Sequence, residues 1–339
     1  MNPKLRIACA GAGYFSQFHI GSWQRLEGAE IVGLCDHAPG RAAATGLPAF
    51  TDLTAMLAAA APDLLDIILP PPAHAQAIRA ALAAGLRWIV CQKPFCTSLD
   101  EARAVTQEAE EAGATLIVHE NFRFQPWYRA IKTALGDGLL GQVQNATFRL
   151  RPGDGRGPDA YLDRQPYFQT MPRFLVQETA VHWVDTFRFL FGPPNAVYAD
   201  LRRLNPAVAG EDAGHIVFDH DSGLRAVFDG NRHLDHAAEN LRRTMGEALI
   251  EGTEGSLRLL GDGSLWHRRF GALGEIRLLP PDSWEGFGGD CVHALQAHVL
   301  AAWRDGAPPE NRAADYLPVL ETVEAIYASS AQGRKVALA

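Results

Sequence analysis

From residue 4 to about 120 the chain alternates short apolar runs with alanine-rich helical stretches, a pattern that builds a parallel sheet joined by crossover helices. The strand candidates are Leu5 to Ala10, Glu30 to Cys35, Leu65 to Leu69, Trp88 to Cys91 and Thr115 to His119. Between them lie helical stretches such as His74 to Ala84 and Ser98 to Ala112. The second opens with Ser98 and carries Glu101 three residues later, the spacing of a capping box. After residue 121 the pattern changes to longer alternating segments: Val143 to Leu150, Ala196 to Leu201, His215 to Phe218, Leu224 to Asp229 and Ser256 to Leu260. Alternation of this kind predicts a mostly antiparallel sheet. Helices are expected at Gln125 to Leu135, Cys291 to Trp303 and Tyr316 to Ser330. Two domains follow, residues 1–121 and 122–339, and the run RPGDGRGPD from Arg151 to Asp159 reads as an exposed loop over a site.

The segment IACAGAGYFSQFH places Gly11, Ala12, Gly13, Tyr14, Phe15 and Ser16 between the first strand and the first helix, where a G-x-G-x-x-G fingerprint belongs. Gly11 permits the tight turn and Gly13 lets the backbone approach a pyrophosphate at the helix N-terminus. Ser16 stands where a third glycine would pack helix on strand. The second strand ends at Asp36, twenty residues past Ser16, where a carboxylate accepts from an adenosine ribose and repels a 2′-phosphate. The pair of features predicts NAD in preference to NADP, with nearby Arg41 working against that preference or lying solvated on the first turn of a helix. The first domain is accordingly an α/β Rossmann domain with a doubly wound parallel sheet, and the second an α+β domain on a large, mostly antiparallel sheet.

A 339-residue chain that is 47% hydrophobic can bury two cores. Its net charge of −8, from 39 acidic against 31 basic residues, argues against a nucleic-acid partner and for a small molecule. The apolar stretches are too short to span a bilayer, and the start MNPKLRIACAGAG runs into a glycine loop, so neither a membrane nor a signal peptide is expected and the protein reads as cytoplasmic. The five cysteines, Cys9, Cys35, Cys91, Cys96 and Cys291, are odd in number and form no C-x-x-C pair. Buried free thiols are expected of them, with no metal site.

Three further segments follow strands of the parallel sheet: LPPPAH from Leu69 to His74, CQKPF from Cys91 to Phe95, and ENFRFQPWY from Glu120 to Tyr128. With the glycine loop and His19, they resemble in order and spacing the glucose-fructose oxidoreductase / inositol dehydrogenase / rhizopine-catabolism family across nearly the whole chain. The resemblance implies that Tyr14, Phe15, Leu69, Pro71, His74 and Asn121 join Gly11, Gly13, Asp36 and Arg41 around the dinucleotide. It further implies that Lys93 contacts the nicotinamide ribose and the substrate hydroxyl, with Gln92 helping to hold the cofactor. The family usually has Glu-Lys-Pro where this chain has Gln92-Lys93-Pro94, so a nearby negative charge is missing.

The family's second signature, Asp-x-x-x-His on a helix, matches Glu178 and His182 in FLVQETAVHWVDTFRFLFG, with glutamate where aspartate is usual. At 100° per residue, Glu178, His182, Asp185 and Phe189 share one stripe. The stripe faces a site, or else His182 is a core histidine held by a carboxylate. An imidazole with a reference pKa of about 6.5 suits a general base. The reading is a secondary alcohol that loses its proton to His182 and hydride to NAD, with Lys93 stabilising the oxyanion and Glu178 orienting the histidine; Lys93 as the base is the alternative. Arg123, Tyr161, Arg164, Gln165, Tyr167, Gln169 and Arg173 are candidate ligands for a sugar, cyclitol or sugar acid, each arginine being equally suited to an ordinary ion pair. Redox-assisted isomerisation or glycoside cleavage with recycled NAD is a second reading, and a non-catalytic cofactor sensor a third. The second sheet's open face is expected to pair subunits into a homodimer or homotetramer.

Overall fold

The computed structural model describes residues 3–338, which group into two compact units. One comprises residues up to Asn121 together with Val292–Pro318, the other Phe122–Cys291 with the chain from Val319 onward. Residues 292–318, expected in the second domain, therefore return to the first. The reason is visible in the contacts: Asn311 Nδ2 donates to the Glu120 carbonyl at 2.6 Å, the Tyr316 hydroxyl donates to the Glu120 carboxylate at 3.2 Å, and Ile117 forms a bridge with Arg312.

In the first unit six described strands form a parallel sheet: β1 (Leu5–Ala10), β2 (Ala29–Cys35), β3 (Ala49–Phe50), β4 (Leu64–Ile67), β5 (Trp88–Gln92) and β6 (Thr115–His119). Their order, β3-β2-β1-β4-β5-β6, reverses direction between β1 and β4, where ligands of doubly wound folds gather. β4 stops short of the expected Leu69 because Pro70, Pro71 and Pro72 lack the N–H groups a ladder needs. Both faces of β4 are buried, as crossover helices on the two sides require. Ser98 caps its helix by accepting from the Glu101 N–H at 3.2 Å, whereas Glu101 reaches back to Thr97 and not to Ser98 itself.

The second unit's sheet has nine described strands: β7 (Val143–Leu150), β8 (Ala196–Arg202), β9 (Ala213–Asp219), β10 (Arg225–Asn231), β11 (Gly246–Gly252), β12 (Gly255–Leu259), β13 (Leu265–Arg269), β14 (Ile276–Leu279) and β15 (Val336–Ala337). All neighbours are antiparallel except β7 and β10. Sequence patterning did not reveal β11, β13, β14 or β15, which are short or carry charges and glycines at outward positions. The inner face is aromatic. Phe148 and Phe228 are direct partners across the β7–β10 pair, and Trp183, from the helix Val181–Phe191, packs 4.3 Å and 5.3 Å from their ring centres. Trp183 donates its indole N–H to the Tyr128 hydroxyl at 2.9 Å.

The outer face is open. Tyr198, Val217, Val227, Thr147 and Leu249 are successive partners across β8, β9, β10, β7 and β11, and Tyr198 and Leu249 are exposed. Beside that row runs a charged one, Asp200, His215, Asp229, Arg149 and Glu247. Contrary to expectation, most of the Arg151–Asp159 run is not an exposed loop. Arg151 is buried against Asp229, Gly155 donates to the Arg232 carbonyl at 2.9 Å, and Asn205 Nδ2 reaches the carbonyls of Gly155 and Gly157, both at 2.8 Å. Residues 156–159 alone in that run are exposed.

Because Trp183 joins helix to sheet through two aromatic neighbours and makes a buried hydrogen bond, Trp183→Ala is expected to cost about 3–5 kcal/mol. Urea unfolding followed by far-UV circular dichroism measures it; a loss under about 1 kcal/mol, the range of tolerated volume-conserving swaps, would show that the sheet holds the helix without this ring.

Candidate active site

In the first unit the candidate residues lie at or just beyond the C-terminal ends of the parallel strands, Gln92 as the last residue of β5 and Arg41 and His74 in the helices Pro39–Ala43 and His74–Ala83 that follow β2 and β4. The turn after β1 is fixed by two of its own N–H groups: Gly11 donates to the Cys35 carbonyl at 2.7 Å and Ala12 to the Asp36 side chain at Oδ2, 2.8 Å away. Gly11 has φ +107°, and a Cβ there would stand 2.5 Å from the Ile68 carbonyl oxygen, so no other residue fits. At Gly13 the reverse holds: a Cβ would meet nothing within 4 Å, leaving the backbone open to a ligand. Ser16, in the third glycine's place, is buried and donates to the Gly13 carbonyl at 2.6 Å, tying helix to loop. Asp36 is buried, its second oxygen accepting from Ala38 N–H at 2.8 Å. Tyr14 and Arg41 are exposed, and Phe15 packs on Phe18 and His19.

The loops after β4 and β5 are fastened by His74. Its ring is wholly buried, with Nε2 2.7 Å from the Leu69 carbonyl and Nδ1 3.0 Å from that of Phe95. Burial lowers its pKa, opposed by those carbonyls. His74 thus shapes the loops bearing Leu69, Pro71 and Lys93, its own nitrogens being turned to the protein. Gln92 is buried and Lys93 half-buried at the end of β5, next to the cis Lys93–Pro94 peptide. Asn121, also buried, follows β6. His119, at the end of β6, stacks 4.0 Å from His19, and neither of its ring nitrogens has a hydrogen-bond partner among the described residues. Burial first, and His19 second, hold its pKa well below the ordinary value.

In the second unit the chain enters the helix bearing His182 through a π-helical turn, Leu175–Ala180. The 100° rule therefore describes His182, Asp185 and Phe189 but not Glu178, which lies in the wider turn. That turn is held from outside. Glu211 Oε1 accepts from the N–H groups of Phe174 and Val176 at 3.2 Å and 3.1 Å, and from the Tyr327 hydroxyl at 2.6 Å. A carboxylate suits the N-terminal end of a helix, where unpaired N–H groups gather. Arg232, wholly buried, donates to Thr179 Oγ1 at 2.7 Å, to the Tyr161 hydroxyl at 3.0 Å and to Asp154 Oδ2 at 2.7 Å. Tyr161 takes φ +72° in that brace.

His182 and Glu178 are both nearly buried, and the His182 ring lies flat on Phe122, 3.8 Å away with 3° between planes. The Tyr167 hydroxyl, 3.1 Å from Gln165 Nε2, has its pKa raised by burial and next by the charge of Glu178. Arg164 reaches Gln165 and Asp154, so Arg164, Tyr167 and Glu178 share one neighbourhood. All three candidate arginines take an ion pair, Arg164 with Asp154 at 3.1 Å. Arg123 grips Asp185 with two bonds of 2.8 Å and 2.5 Å, and Arg173 pairs with Glu324 at 2.6 Å over the Tyr327 ring. Patterning missed Glu211, Arg232 and Asp66, although a lone carboxylate inside the apolar run LLDIIL marks Asp66 as a buried charge with a task.

Comparison with known proteins decides the family. Residues 5–120 match the model described as oxidoreductase family, NAD-binding Rossmann fold, and residues 128–258 match the GFO/IDH/MocA C-terminal domain. D-apiose dehydrogenase of Paraburkholderia graminis is 37% identical over 99% of this chain and 90% of its own length. The chain belongs to the glucose-fructose oxidoreductase / inositol dehydrogenase / rhizopine-catabolism oxidoreductase family. D-apiose dehydrogenase of Rhizobium rhizogenes is 29% identical over 98% of the chain and 97% of its own length. Among solved structures, an oxidoreductase of Agrobacterium radiobacter in complex with NAD+, L-tartaric acid and magnesium superposes with a TM-score of 0.89 at 29% identity, covering 98% of each chain.

The depressed pKa values of His74 and His119 have a consequence for this oxidoreductase's stability. Below about pH 6.5 the unfolded chain binds protons at these positions that the folded chain refuses, so their contribution is complete above that pH and lost as pH falls toward the folded values. The thermal midpoint is expected to fall between pH 7.5 and pH 5.5, less steeply in His119→Leu. Differential scanning calorimetry of both proteins measures this, and parallel curves would place the unfavourable protonation elsewhere.

Proposed function

We propose that this protein oxidises a secondary hydroxyl of a small polyhydroxylated substrate, with D-apiose or a sugar of similar size the first candidate, and NAD as the acceptor. The carrying observation is that one chain holds an open glycine turn with an acidic residue at the end of β2, a lysine at the end of β5, and an imidazole fixed flat on an aromatic ring. Full-length similarity to two D-apiose dehydrogenases supports the substrate class.

The residues present fit NAD. Gly11 and Gly13 admit a pyrophosphate, and Asp36, already bonded to Ala12, offers lone pairs to a ribose while opposing a 2′-phosphate. Bound nicotinamide supplies the hydride acceptor. His182 takes the hydroxyl proton, its plane set by Phe122. Lys93 stabilises charge developing on the oxygen. Glu178, with Tyr167 and Arg164, grips neighbouring hydroxyls; the π turn, not side-chain length alone, sets where Glu178 points. The protein works in the cytoplasm, where its five buried free thiols remain reduced, and no described helix is long and apolar enough to cross a membrane.

NADH formation with D-apiose, other pentoses, myo-inositol and sugar acids tests this directly. Lys93→Ala and His182→Ala are each expected to lower kcat/KM by about 10²–10⁴. Substrate turnover without net NADH would replace dehydrogenation by recycled-cofactor chemistry, and wild-type rates in either variant would remove that residue from the mechanism.

Subunits pair through the outer face of the second sheet, where the row Tyr198, Val217, Val227, Thr147, Leu249 presents apolar surface beside a charged row. Val227→Glu, placing an unpaired charge at the centre of the row, is expected to weaken a homodimer by about 3–5 kcal/mol and release monomers in sedimentation velocity. Unchanged sedimentation would assign assembly to another surface.

A further inference from the structure

Behind Lys93 runs a buried line of side chains that hydride transfer itself does not use. Asp66 is the one charge of β4 and is wholly buried. Its Oδ2 accepts from the Trp23 indole N–H at 2.7 Å and stands 2.8 Å from His19 Nδ1. On the other side of the imidazole, His19 Nε2 lies 3.0 Å from Gln92 Nε2. Gln92 Oε1 in turn accepts from the backbone N–H of Lys93 at 2.7 Å.

The polarity of this line follows from its ends. A backbone N–H can only donate, so the oxygen of the Gln92 amide faces Lys93 and its NH₂ faces His19. His19 Nε2 must therefore accept. At the far end the Asp66 carboxylate accepts, so the ring proton sits on Nδ1. A flipped Gln92 would set N–H against N–H at Lys93, and a proton on Nε2 would do the same at Gln92. One tautomer of one neutral ring satisfies every contact.

We propose that Asp66 and His19, acting through Gln92, are positioning residues that hold the Lys93 backbone at the end of β5, and that the neutral amide at position 92 lets them do so without an added proton. This rests on Lys93 belonging to the hydride-transfer site. Among the described residues the groups packed on the line are uncharged: His119 lies against His19, and Cys9 and Cys91 lie near Asp66, the Cys9 thiol pKa raised by burial and then by that carboxylate, that of Cys91 by burial, then by Cys96 and last by Asp66. A carboxylate at position 92 would still accept from Lys93 but would face the lone pair of His19 Nε2. Such a line closes only by taking up a proton, and opens again as pH rises.

The first test is nitrogen-15 NMR of the NAD-loaded protein with labelled histidine at about pH 8, His19 being assigned by its loss in His19→Gln. A ring protonated on Nδ1 and bare on Nε2 is expected; the opposite tautomer or a doubly protonated ring overturns the proposal, without any variant having to turn over. The second is the pH profile of kcat and KM for Gln92→Glu beside wild type. Its kcat relative to wild type should fall about tenfold from pH 6 to pH 9, the size of one buried hydrogen bond, with KM little changed. A constant ratio overturns the positioning role while leaving Lys93 in place. If Lys93→Ala turns over at the wild-type rate, the site reading fails and the positioning role falls with it, whatever the tautomer.

Discussion

Residue 11 has no room for a side chain, because the carbonyl of Ile68 stands where its Cβ would be. That close approach marks the crossing point of the parallel sheet. β1 and β4 are neighbours there, and the chain continues from them to opposite flanks, so their loops open on one edge. Everything else among the first unit's candidate residues is placed relative to that edge. Asp36 closes the β1 turn by binding Ala12, His74 ties the loop after β4 to the loop after β5, and Gln92 receives the Lys93 amide. The glycine is needed less for freedom than for thinness: two strands meet with only backbone between them.

The second unit reaches precision by a different route. Its helix is pinned to the sheet by Trp183, one residue past His182, so packing fixes the imidazole's neighbour and Phe122 fixes its plane. Glu178 lies before this rigid stretch, in a π turn whose widened backbone is stabilised by Glu211 on one side and Arg232 on the other. Such turns are weak on their own and are frequent at functional sites. Here two side chains distant in sequence supply what the backbone lacks.

Those distances explain what the sequence could and could not disclose. β1, β6 and β7 begin and end at the expected residues because each is bounded by turn-forming or polar positions and has an unbroken apolar or alternating pattern. β11 hid because glycines close both its ends and Glu247 and Glu251 break its pattern, while one of its two partners, β7, lies far away in sequence. The π turn was illegible for a simpler reason: a spacing of four residues suits either helix, and nothing local decides between them. Arg123 and Arg173 could serve a substrate or an ion pair until Asp185, 62 residues on, and Glu324, 151 residues on, were seen beside them. Motif order located the loops; which side chains those loops leave available is a property of tertiary contact.

A common thread joins the carboxylates that patterning passed over. Asp66, Asp154, Glu211 and Asp212 are buried or half-buried, and each accepts from two or more donors drawn from separate segments. A buried carboxylate costs several kcal/mol unless its lone pairs are met, so a residue of this kind survives only where several donors converge. Convergence makes it a reporter of architecture: Asp212 gathers Leu204, Asn205 and His233, and Asp154 gathers Arg164 and Arg232 around the loop next to Tyr161. An acidic chain of this family thus uses part of its negative charge internally, as junctions that hold non-repetitive backbone in place. At Gln92 the same logic runs in reverse. That position must donate on one side and accept on the other, and an amide does both where a carboxylate can only accept.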